Sequence, residues 1–395
     1  MTDCCIIGGG IVGLSIAREL AGRGHTVRVL ARERRRDTAS WAAAGIFPPA
    51  PDHPNATPNE RLTAWSDRLH REWARELLDE TGIDTGLRVC GGLHVFRDES
   101  GRERLEADAA AWRLRGAACD WLDAADVAAC EPALAAGVRR AAVRGGYVLP
   151  DETQLRPPRH LEALERSCDR RGVAITQGVT VRELMVRDGR VEAAVADVAG
   201  RCEPVQAGAY VLAAGAWSGT LAEALGVSIE TRPIRGQIVQ LRMGKPRLVR
   251  VVNRGLEYLV PREDGTLLAG STLEDAGFDA STDEAALARI VAFARDLLGD
   301  VGGVEPERSW AGLRPGTVDG LPTIGRTPGC GNAFVAAGHF RAGLHQSTGT
   351  AVVIADLVEG RRPALQVDAF APDRARQPPT KDSVSALLER ARVEA

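Results

Sequence analysis

The sequence has 395 residues, with 50 lysines and arginines against 53 aspartates and glutamates, so its formal net charge is -3. A chain of this length favours two domains. The near balance of charge, in which Arg34-Arg35-Arg36 is the longest run of one sign, argues against nucleic acid or an anionic membrane as a partner. A small-molecule ligand is therefore expected.

The N-terminus and the cysteines bear on the compartment. Strand-like residues begin at Asp3 and run directly into a glycine cluster, which leaves no room for an export signal, and no apolar run approaches the roughly 20 residues of a membrane helix. The 8 cysteines show no CxxC spacing, and Cys4 and Cys5 would point to opposite faces of one strand. We expect reduced thiols in a cytoplasmic protein. The 7 histidines are scattered, so no metal site is predicted.

The chain opens with a βαβ pattern. Residues 3–7 predict a short buried strand, residues 14–22 a helix and residues 27–30 a second strand. The tight turn between the first strand and the helix holds Gly8, Gly9 and Gly10. This arrangement is the usual opening of a dinucleotide-binding fold.

The turn fits the GxGxxG signature. Gly8 would make the turn, Gly10 would let the backbone approach a pyrophosphate, and Gly13 would let the helix pack against the strand. Phosphates at this point meet free N–H groups and the positive end of the helix dipole. The signature, placed between a strand and a helix, predicts nucleotide binding.

The acidic residue that usually holds the ribose hydroxyls is missing from its expected position. The signature asks for Asp or Glu about 20 residues on, at the end of the second strand, but Ala31 stands there and the nearest carboxylate is Glu33. Residues 31 and 33 share a face if the strand continues. A ribose contact by Glu33 and a solvated glutamate remain equal interpretations.

Further elements follow in chain order. Five prolines and the residues before them predict a loop over residues 48–58, and an apolar stripe predicts a helix over 59–81. The tail after Pro372 is charged and interrupted by proline, has one weak helix near 384–391, and is expected to be peripheral. The remaining predicted helices lie at 101–117, 152–171 and 281–299, and the β-rich segments at 87–96, 173–198, 205–214, 234–243, 256–270 and 333–338.

Three motifs carry a family resemblance. They are Thr38-Ala39-Ser40-Trp41-Ala42-Ala43-Ala44-Gly45, Trp310-Ala311-Gly312-Leu313-Arg314-Pro315-Gly316-Thr317 and Ala337-Gly338-His339-Phe340-Arg341-Ala342-Gly343. In their order and spacing they resemble the FAD-dependent D-amino-acid-oxidase superfamily, most closely the glycine oxidases associated with thiazole synthesis in thiamine biosynthesis. The resemblance spans about residues 3–370.

The resemblance implies an α/β fold of two domains. A Rossmann-like FAD-binding domain, interrupted in sequence, would take residues 1–85, 150–225 and 312–365. A substrate domain with a mainly antiparallel sheet covering the flavin would take residues 86–149 and 226–311. Residues 366–395 would form the peripheral tail.

The resemblance also implies where FAD is held. It places the pyrophosphate at Ile11 and Val12, the adenosine ribose near Ala31 and Arg32, and the adenine against the backbone of Val181. The flavin's pyrimidine and ribityl portions would lie over His339, Phe340, Arg341, Ala342, Gly343, Leu344 and His345. Further FAD contacts are expected at Ala39, Ser40, Ala44, Gly45, Ile46 and Gly215. The stretch from Ala311 to Arg326 has no cysteine, so we expect FAD to be bound non-covalently.

The substrate side is predicted from the chemistry of amine oxidation. A flavin itself accepts the hydride, so the protein mainly positions the substrate, and an arginine fork is the natural partner of an amino acid's carboxylate. Arg314, in a Gly-Leu-Arg-Pro-Gly stretch expected to form a turn, is the candidate. The resemblance adds the hydroxyl of Tyr258 and the substrate-side Arg341. Leu273 either lines the cavity or is an ordinary core leucine.

The expected reaction is oxidative deamination of glycine or a similar small amino acid. Hydride transfer from Cα to FAD would give an imine that hydrolyses to an oxo acid and ammonia, and O2 would take the electrons to give hydrogen peroxide. Sarcosine, another N-methyl amine or a D-amino acid is the alternative substrate, with an oxidase or a dehydrogenase reaction. A nucleotide-binding sensor without turnover is the alternative from another class. The sequence leaves the oligomeric state open, a homo-oligomer included.

Overall fold

The structure is a computed structural model that describes residues 2–32, 38–245, 247–299, 305–375, 379 and 383–394. The strands in these ranges are β1 (Cys4–Ile7), β2 (Val27–Leu30), β3 (Ile46–Phe47), β4 (Arg88–Val89), β5 (Gly92–Phe96), β6 (Asp120–Asp123), β7 (Gly145–Leu149), β8 (Thr153–Gln154), β9 (Ala174–Thr176), β10 (Val179–Arg187), β11 (Arg190–Val198), β12 (Arg201–Val205), β13 (Ala209–Leu212), β14 (Arg232–Arg242), β15 (Val251–Arg254), β16 (Glu257–Pro261), β17 (Thr266–Gly270), β18 (Glu305–Gly316), β19 (Thr323–Arg326) and β20 (Ala333–Ala337). The α-helices are α1 (Ile11–Gly22), α2 (Ala39–Ala42), α3 (Pro58–Thr81), α4 (Glu99–Leu114), α5 (Ala124–Cys130), α6 (Ala135–Arg139), α7 (Pro157–Arg170), α8 (Ser218–Ala222), α9 (Glu284–Leu298), α10 (Ser347–Val358) and α11 (Val384–Glu394).

A six-stranded sheet in the order β19-β20-β13-β1-β2-β9 forms the nucleotide-binding half. All its neighbours are parallel except β19 and β20. Alternate residues of β1 supply both faces: Cys4 and Ile6 join a core with α1, α3, α7 and α10, whereas Cys5 and Ile7 join a core with the small sheet β10-β11-β12. A parallel sheet needs this cover on both faces, which is why β1 is buried throughout.

An eight-stranded sheet in the order β18-β14-β17-β16-β15-β5-β7-β6 forms the second half. Its pairs are antiparallel apart from β15 with β5. One face packs on α5 and α9 through an apolar core that includes Leu259 and Phe293. The fold is therefore the expected α/β combination of a dinucleotide-binding sheet and a mainly antiparallel sheet.

Most predicted elements are present with shifted ends. The helix predicted over 59–81 is α3, which Thr57 and Glu60 begin with a reciprocal capping box. The helix predicted over 152–171 starts only at Pro157, because Thr153 and Gln154 pair with β3 and β4 as β8. The segment 48–57 contains neither helix nor strand, as its prolines predict.

The structure differs from three expectations in the C-terminal half of the chain. Arg314 lies in the long strand β18 and not in a turn, because Arg314 and Pro315 both pair with β14. Strand β18 stays in the eight-stranded sheet as far as Gly316, so the chain changes sheet after the boundary expected at residue 312. The tail also differs from a peripheral segment, because Val384 and Leu387 of α11 are buried against the eight-stranded sheet.

The described residues contain neither a membrane span nor a cluster of metal ligands. No helix among them is both long and apolar enough to cross a membrane, and no group of three or more candidate ligands suits a metal ion. All eight cysteines are free, Cys4 and Cys5 among them. Burial raises the pKa of the Cys5 thiol to about 12, so it remains protonated in the core.

Candidate active site

One large cavity of about 1990 Å³ lies between the two sheets. The glycine turn before α1, the segment around α2, and strands β16 and β18 all contribute to its wall. Typical sites for a small ligand alone measure roughly 300–1,000 Å³. The volume therefore suits an extended cofactor together with a substrate.

The glycine turn is shaped for a pyrophosphate. Gly8 has a φ of +124°, and a Cβ on Gly13 would lie 1.9 Å from the Gly8 carbonyl oxygen, so α1 packs directly on the turn. Ile11 N donates to Ser40 Oγ at 2.9 Å. Helix α1 has neither a capping side chain nor an acidic residue in its first turn. Its N-terminus therefore offers backbone N–H groups and positive charge to phosphates.

At the nucleoside end of the cavity, Ala31 takes the place of the usual carboxylate at the end of β2. Ala31 is buried, and a Cβ on Gly9 would lie 2.6 Å from the Ala31 Cβ. Arg32 follows it with its guanidinium carbon 3.8 Å above the ring centre of Trp217. Glu33 lies outside the described residues, so its predicted ribose contact stays a prediction.

The predicted cofactor residues converge on this cavity even though they are far apart in sequence. Gly13 is the exception, because its place is the contact between helix and strand. Leu273 also stays off the cavity wall and packs with Ile234 and Phe340, in line with its interpretation as a core leucine. The predicted residues that line the cavity are Gly8, Gly10, Ile11, Val12, Ala31, Arg32, Ala39, Ser40, Ala44, Gly45, Ile46, Val181, Gly215, Tyr258, Arg314, His339, Phe340, Arg341, Ala342, Gly343, Leu344 and His345.

Arg314 is held in place by two hydrogen bonds. Its Nη2 donates to Ser271 Oγ at 2.8 Å and its Nη1 to the Thr272 carbonyl at 3.2 Å. Burial lowers the pKa of Arg314 below its usual value, while Tyr258 and Glu274 act in the opposite direction. A guanidinium keeps its charge despite such a shift.

Two glycines that the sequence analysis did not single out make room for the side chains of Arg314 and Tyr258. A Cβ on Gly236 would lie 2.0 Å from Arg314 Nη1, and a Cβ on Gly270 would lie 2.7 Å from the Tyr258 hydroxyl. Gly236 is inside β14 and Gly270 is the last residue of β17, and a glycine in a strand often marks a close approach. A glycine within a predicted strand is the sequence signal for such a close approach, but it does not show which side chain comes close.

A buried arginine that follows β16 links the eight-stranded sheet to the segments around β3 and β8, beside the cavity. Arg262 donates to the Ala44 carbonyl at 2.7 Å, to the Leu155 carbonyl at 3.1 Å and to Gln154 Oε1 at 2.7 Å. Burial lowers the pKa of Arg262 to about 9. Because Ala44 and Gly45 line the cavity, Arg262 sets the position of a predicted FAD-contacting segment. Its role has no local sequence signature.

Two histidines of the cavity wall, His339 and His345, have assigned partners. His339 Nε2 shares a hydrogen bond of 3.0 Å with Thr350 Oγ1, and burial lowers its pKa to about 4. His345 stacks on Phe47 with ring centres 4.2 Å apart, and its Nε2 lies 3.2 Å from Asp67 Oδ1. Burial therefore keeps His339 neutral near pH 7, in line with a positioning role.

A polar cluster missed by the sequence analysis lies on the same cavity. His94 Nε2 is 3.2 Å from Glu152 Oε2, and Asn253 Nδ2 donates to Glu152 Oε1 at 3.2 Å. His94, Asn253 and Tyr258 are directly opposite one another on adjacent strands β5, β15 and β16. Their side chains therefore leave the eight-stranded sheet on one face. His94 and Asn253 are 159 positions apart along the chain, so only the sheet brings them together.

These features define a class of protein. A dinucleotide-binding turn, a long cavity and an antiparallel sheet that presents an arginine and a tyrosine to it describe an enzyme built around an extended redox cofactor. The glycine turn, Ser40 and the open first turn of α1 suit the phosphates of FAD, and the cavity has room for the rest.

Comparison with known proteins agrees with this class. The model of the FAD dependent oxidoreductase family (DAO) matches residues 3–357. A glycine oxidase of Pseudomonas aeruginosa is 32% identical over 369 residues, covering 93% of this chain and 97% of the relative. A glycine oxidase of Geobacillus kaustophilus is 31% identical over 369 residues, covering 93% of this chain and 96% of the relative. The crystal structure of glycine oxidase from that organism has a TM-score of 0.86 and covers 95% of this chain and 99% of that one.

The chain therefore belongs to the FAD dependent oxidoreductase family. It is an FAD-dependent amine oxidoreductase of the D-amino-acid-oxidase type.

Proposed function

We propose that the protein oxidises glycine, or an amino acid of similar size, to the corresponding oxo acid with release of ammonia and hydrogen peroxide. The observation that carries the proposal is the Arg314 guanidinium, held at the cavity by Ser271 and Thr272 next to Tyr258. The resemblance to glycine oxidases supports the choice of substrate.

Arg314 is the residue that binds and orients the substrate. Two of its donors are used by Ser271 and the Thr272 carbonyl, which fixes the fork and leaves N–H groups for a carboxylate. The Tyr258 hydroxyl adds a donor beside it. Arg341, which also lines the cavity, contributes positive charge on the substrate side.

Bound FAD supplies the hydride acceptor for the Cα–H bond. The residues of the glycine turn, Ser40 and the 339–345 segment hold it, while Arg314 and Tyr258 set the substrate's distance and angle. The substrate's ammonium must lose a proton before the hydride leaves. A fixed guanidinium and the exclusion of water both lower the pKa of that ammonium, so the chain can favour the neutral amine without a dedicated base.

The test is to reconstitute the protein with FAD and add glycine, sarcosine and D-alanine separately without oxygen. We expect bleaching of the flavin absorbance by at least one of them, then hydrogen peroxide when air is admitted. Arg314→Met should weaken the bleaching strongly, because an uncompensated carboxylate is costly to bury. Arg308→Met is the matched control, since Arg308 is an exposed arginine on the same strand.

The outcomes separate the alternatives. Bleaching by sarcosine or D-alanine alone would show that this amine, and not glycine, is the substrate. Bleaching without peroxide would make the protein a dehydrogenase. An Arg314→Met variant as active as Arg308→Met would refute the carboxylate clamp, and no bleaching with any of the three amines would favour the sensor. We also place the reaction in the cytoplasm, which the eight free cysteines support.

A further inference from the structure

One face of the C-terminal helix α11 is buried at the Arg314 end of the cavity. Val384 is 1% exposed and Leu387 is 6% exposed. They form one apolar cluster with Ile234 of β14 and with Phe340, which precedes Arg341. Partly buried leucines complete the cluster, namely Leu256, Leu273 and Leu388.

The strand register places α11 on the same face of the sheet as the Arg314 side chain. Ile234 is directly opposite Arg314 in the β14–β18 pair, and opposed residues project to the same face. Gly316 lies two residues beyond Arg314, again on that face, and a Cβ there would lie 2.3 Å from Val384 Cγ2. The first turn of α11 therefore contacts the sheet at Gly316, the next position along β18 on the same face as Arg314.

Helix α11 also forms part of the cavity wall. Ala386, Leu387 and Arg390 line the cavity together with Arg314 and Arg341. The side chains at 386, 387 and 390 share one helical face by their spacing. The face that meets the cavity is mainly apolar at its start, where Leu387 reaches the cluster.

The start of the helix is tied to the fold. Ser383 is fully buried and its Oγ accepts from Ala386 N at 3.3 Å, which is an N-cap. Upstream, Arg374 donates to Asp319 Oδ2 at 3.0 Å. The family model ends at residue 357, well before α11, so this wall is outside the part of the chain that matches the family.

We propose that α11 determines substrate size, with Leu387 as the specificity-determining residue. This inference rests on the proposed function, because it takes Arg314 as the anchor of the substrate's carboxylate. With that end fixed, the apolar surface of Leu387 limits the length of the substituent at Cα or on nitrogen. The substrate class is therefore amino acids with no substituent or a short apolar one.

The experiment compares the FAD-loaded wild type with three variants. Leu387→Ala opens the wall, truncation after Ala375 removes it, and Glu389→Ala is the matched control because Glu389 is exposed on the same helix. The first readout is calorimetric binding of acetate and of pentanoate, which needs no turnover. The second is kcat/KM for glycine and for D-norvaline. Melting temperature and FAD content show whether each variant is folded and loaded.

Leu387→Ala should raise the affinity for pentanoate relative to acetate by about tenfold, the low end of what a methylene-sized change in a pocket gives. The ratio of kcat/KM for D-norvaline to that for glycine should rise with it, and Glu389→Ala should change neither ratio. If both ratios are unchanged in Leu387→Ala and in the truncated chain, the wall does not select substrates and the inference is overturned.

The same measurements distinguish a failure of the proposed function. If acetate and pentanoate bind but no amine is oxidised, the proposed function fails and the binding ratio still decides the role of α11. If no carboxylate binds to the wild type, the clamp at Arg314 is refuted and the inference is overturned with it. A lower melting temperature in the truncated chain with unchanged ratios would assign α11 a stabilising role only.

Discussion

Replacing Gly236 by alanine should disable the substrate site without unfolding the protein. The added Cβ would lie 2.0 Å from Arg314 Nη1 and 2.3 Å from Arg314 Cζ, whereas optimal carbon contacts are about 3.5–4.0 Å. The guanidinium must therefore withdraw by about 1.5 Å. It is the end of a flexible side chain, so this movement is cheaper for stability than a backbone clash.

The expected cost is catalytic. A misplacement of about 1 Å costs on the order of a hundredfold in rate, which corresponds to about 2.7 kcal/mol of transition-state stabilisation. We expect kcat/KM for glycine to fall about a hundredfold in Gly236→Ala, while melting temperature and FAD content stay close to wild type. Gly331→Ala is the matched control, because Gly331 is exposed and the nearest atom to an added Cβ would be a carbonyl oxygen 4.0 Å away.

A double-mutant cycle with Arg314→Met tests the cause. If Gly236→Ala acts by displacing the guanidinium, it should have little further effect in the Arg314→Met background. An equal loss in both backgrounds would mean that Gly236 acts on something other than Arg314. Full activity of the single variant would refute the close approach itself.

Three further predictions concern the cofactor and stability. Arg262→Met should weaken FAD binding about tenfold, because it leaves the Ala44 carbonyl without its donor; a dissociation constant equal to wild type in FAD titration would contradict this. Ala31→Asp should tighten FAD binding several-fold by restoring a ribose-binding acid, and weaker binding by the same titration would show that the site is adapted to alanine. Burial lowers the pKa of His70 to about 3 and of His339 to about 4, whereas unfolded histidine titrates near 6.5. The unfolded chain therefore binds more protons below pH 6.5. These two histidines alone should lower the free energy of unfolding by about 2.7 kcal/mol per pH unit towards pH 5, and burial lowers the pKa of His160 in the same direction. Urea unfolding at several pH values would measure this dependence, and His70→Phe should reduce it.

The phosphate-binding turn of the cofactor site can be predicted from a local sequence pattern alone. The duties of Gly8, Gly10 and Gly13 depend on residues within one turn and on the helix that follows, so the sequence predicts them before any tertiary contact is known. The same turn in the structure has the left-handed Gly8 and the close contact at Gly13. Ala31 is the informative departure, because its lack of a carboxylate is visible at once from its distance along the chain.

The substrate site depends on the register in which β14 pairs with β18, and a single sequence does not reveal that register. The chemistry of carboxylate binding and the surrounding motif predict Arg314, but Pro315 and Gly316 are common turn residues and predict a turn where the structure has β18. In the structure those residues pair with Pro233 and Arg232 at the start of β14. The pairing puts Gly236 beneath the guanidinium.

The sequence by itself determined the nucleotide turn, the buried strand β1 and the choice of Arg314, since each follows from spacing or from the chemistry of a single side chain. The choice of Tyr258 follows from the family resemblance. Only the tertiary structure decided that Arg262 supports Ala44, that His94 meets Glu152, and that α11 closes the Arg314 end of the cavity. These contacts join residues between 58 and 218 positions apart along the chain or depend on helix packing. Such contacts follow from how whole sheets and helices pack, and no local preference of the residues involved encodes them.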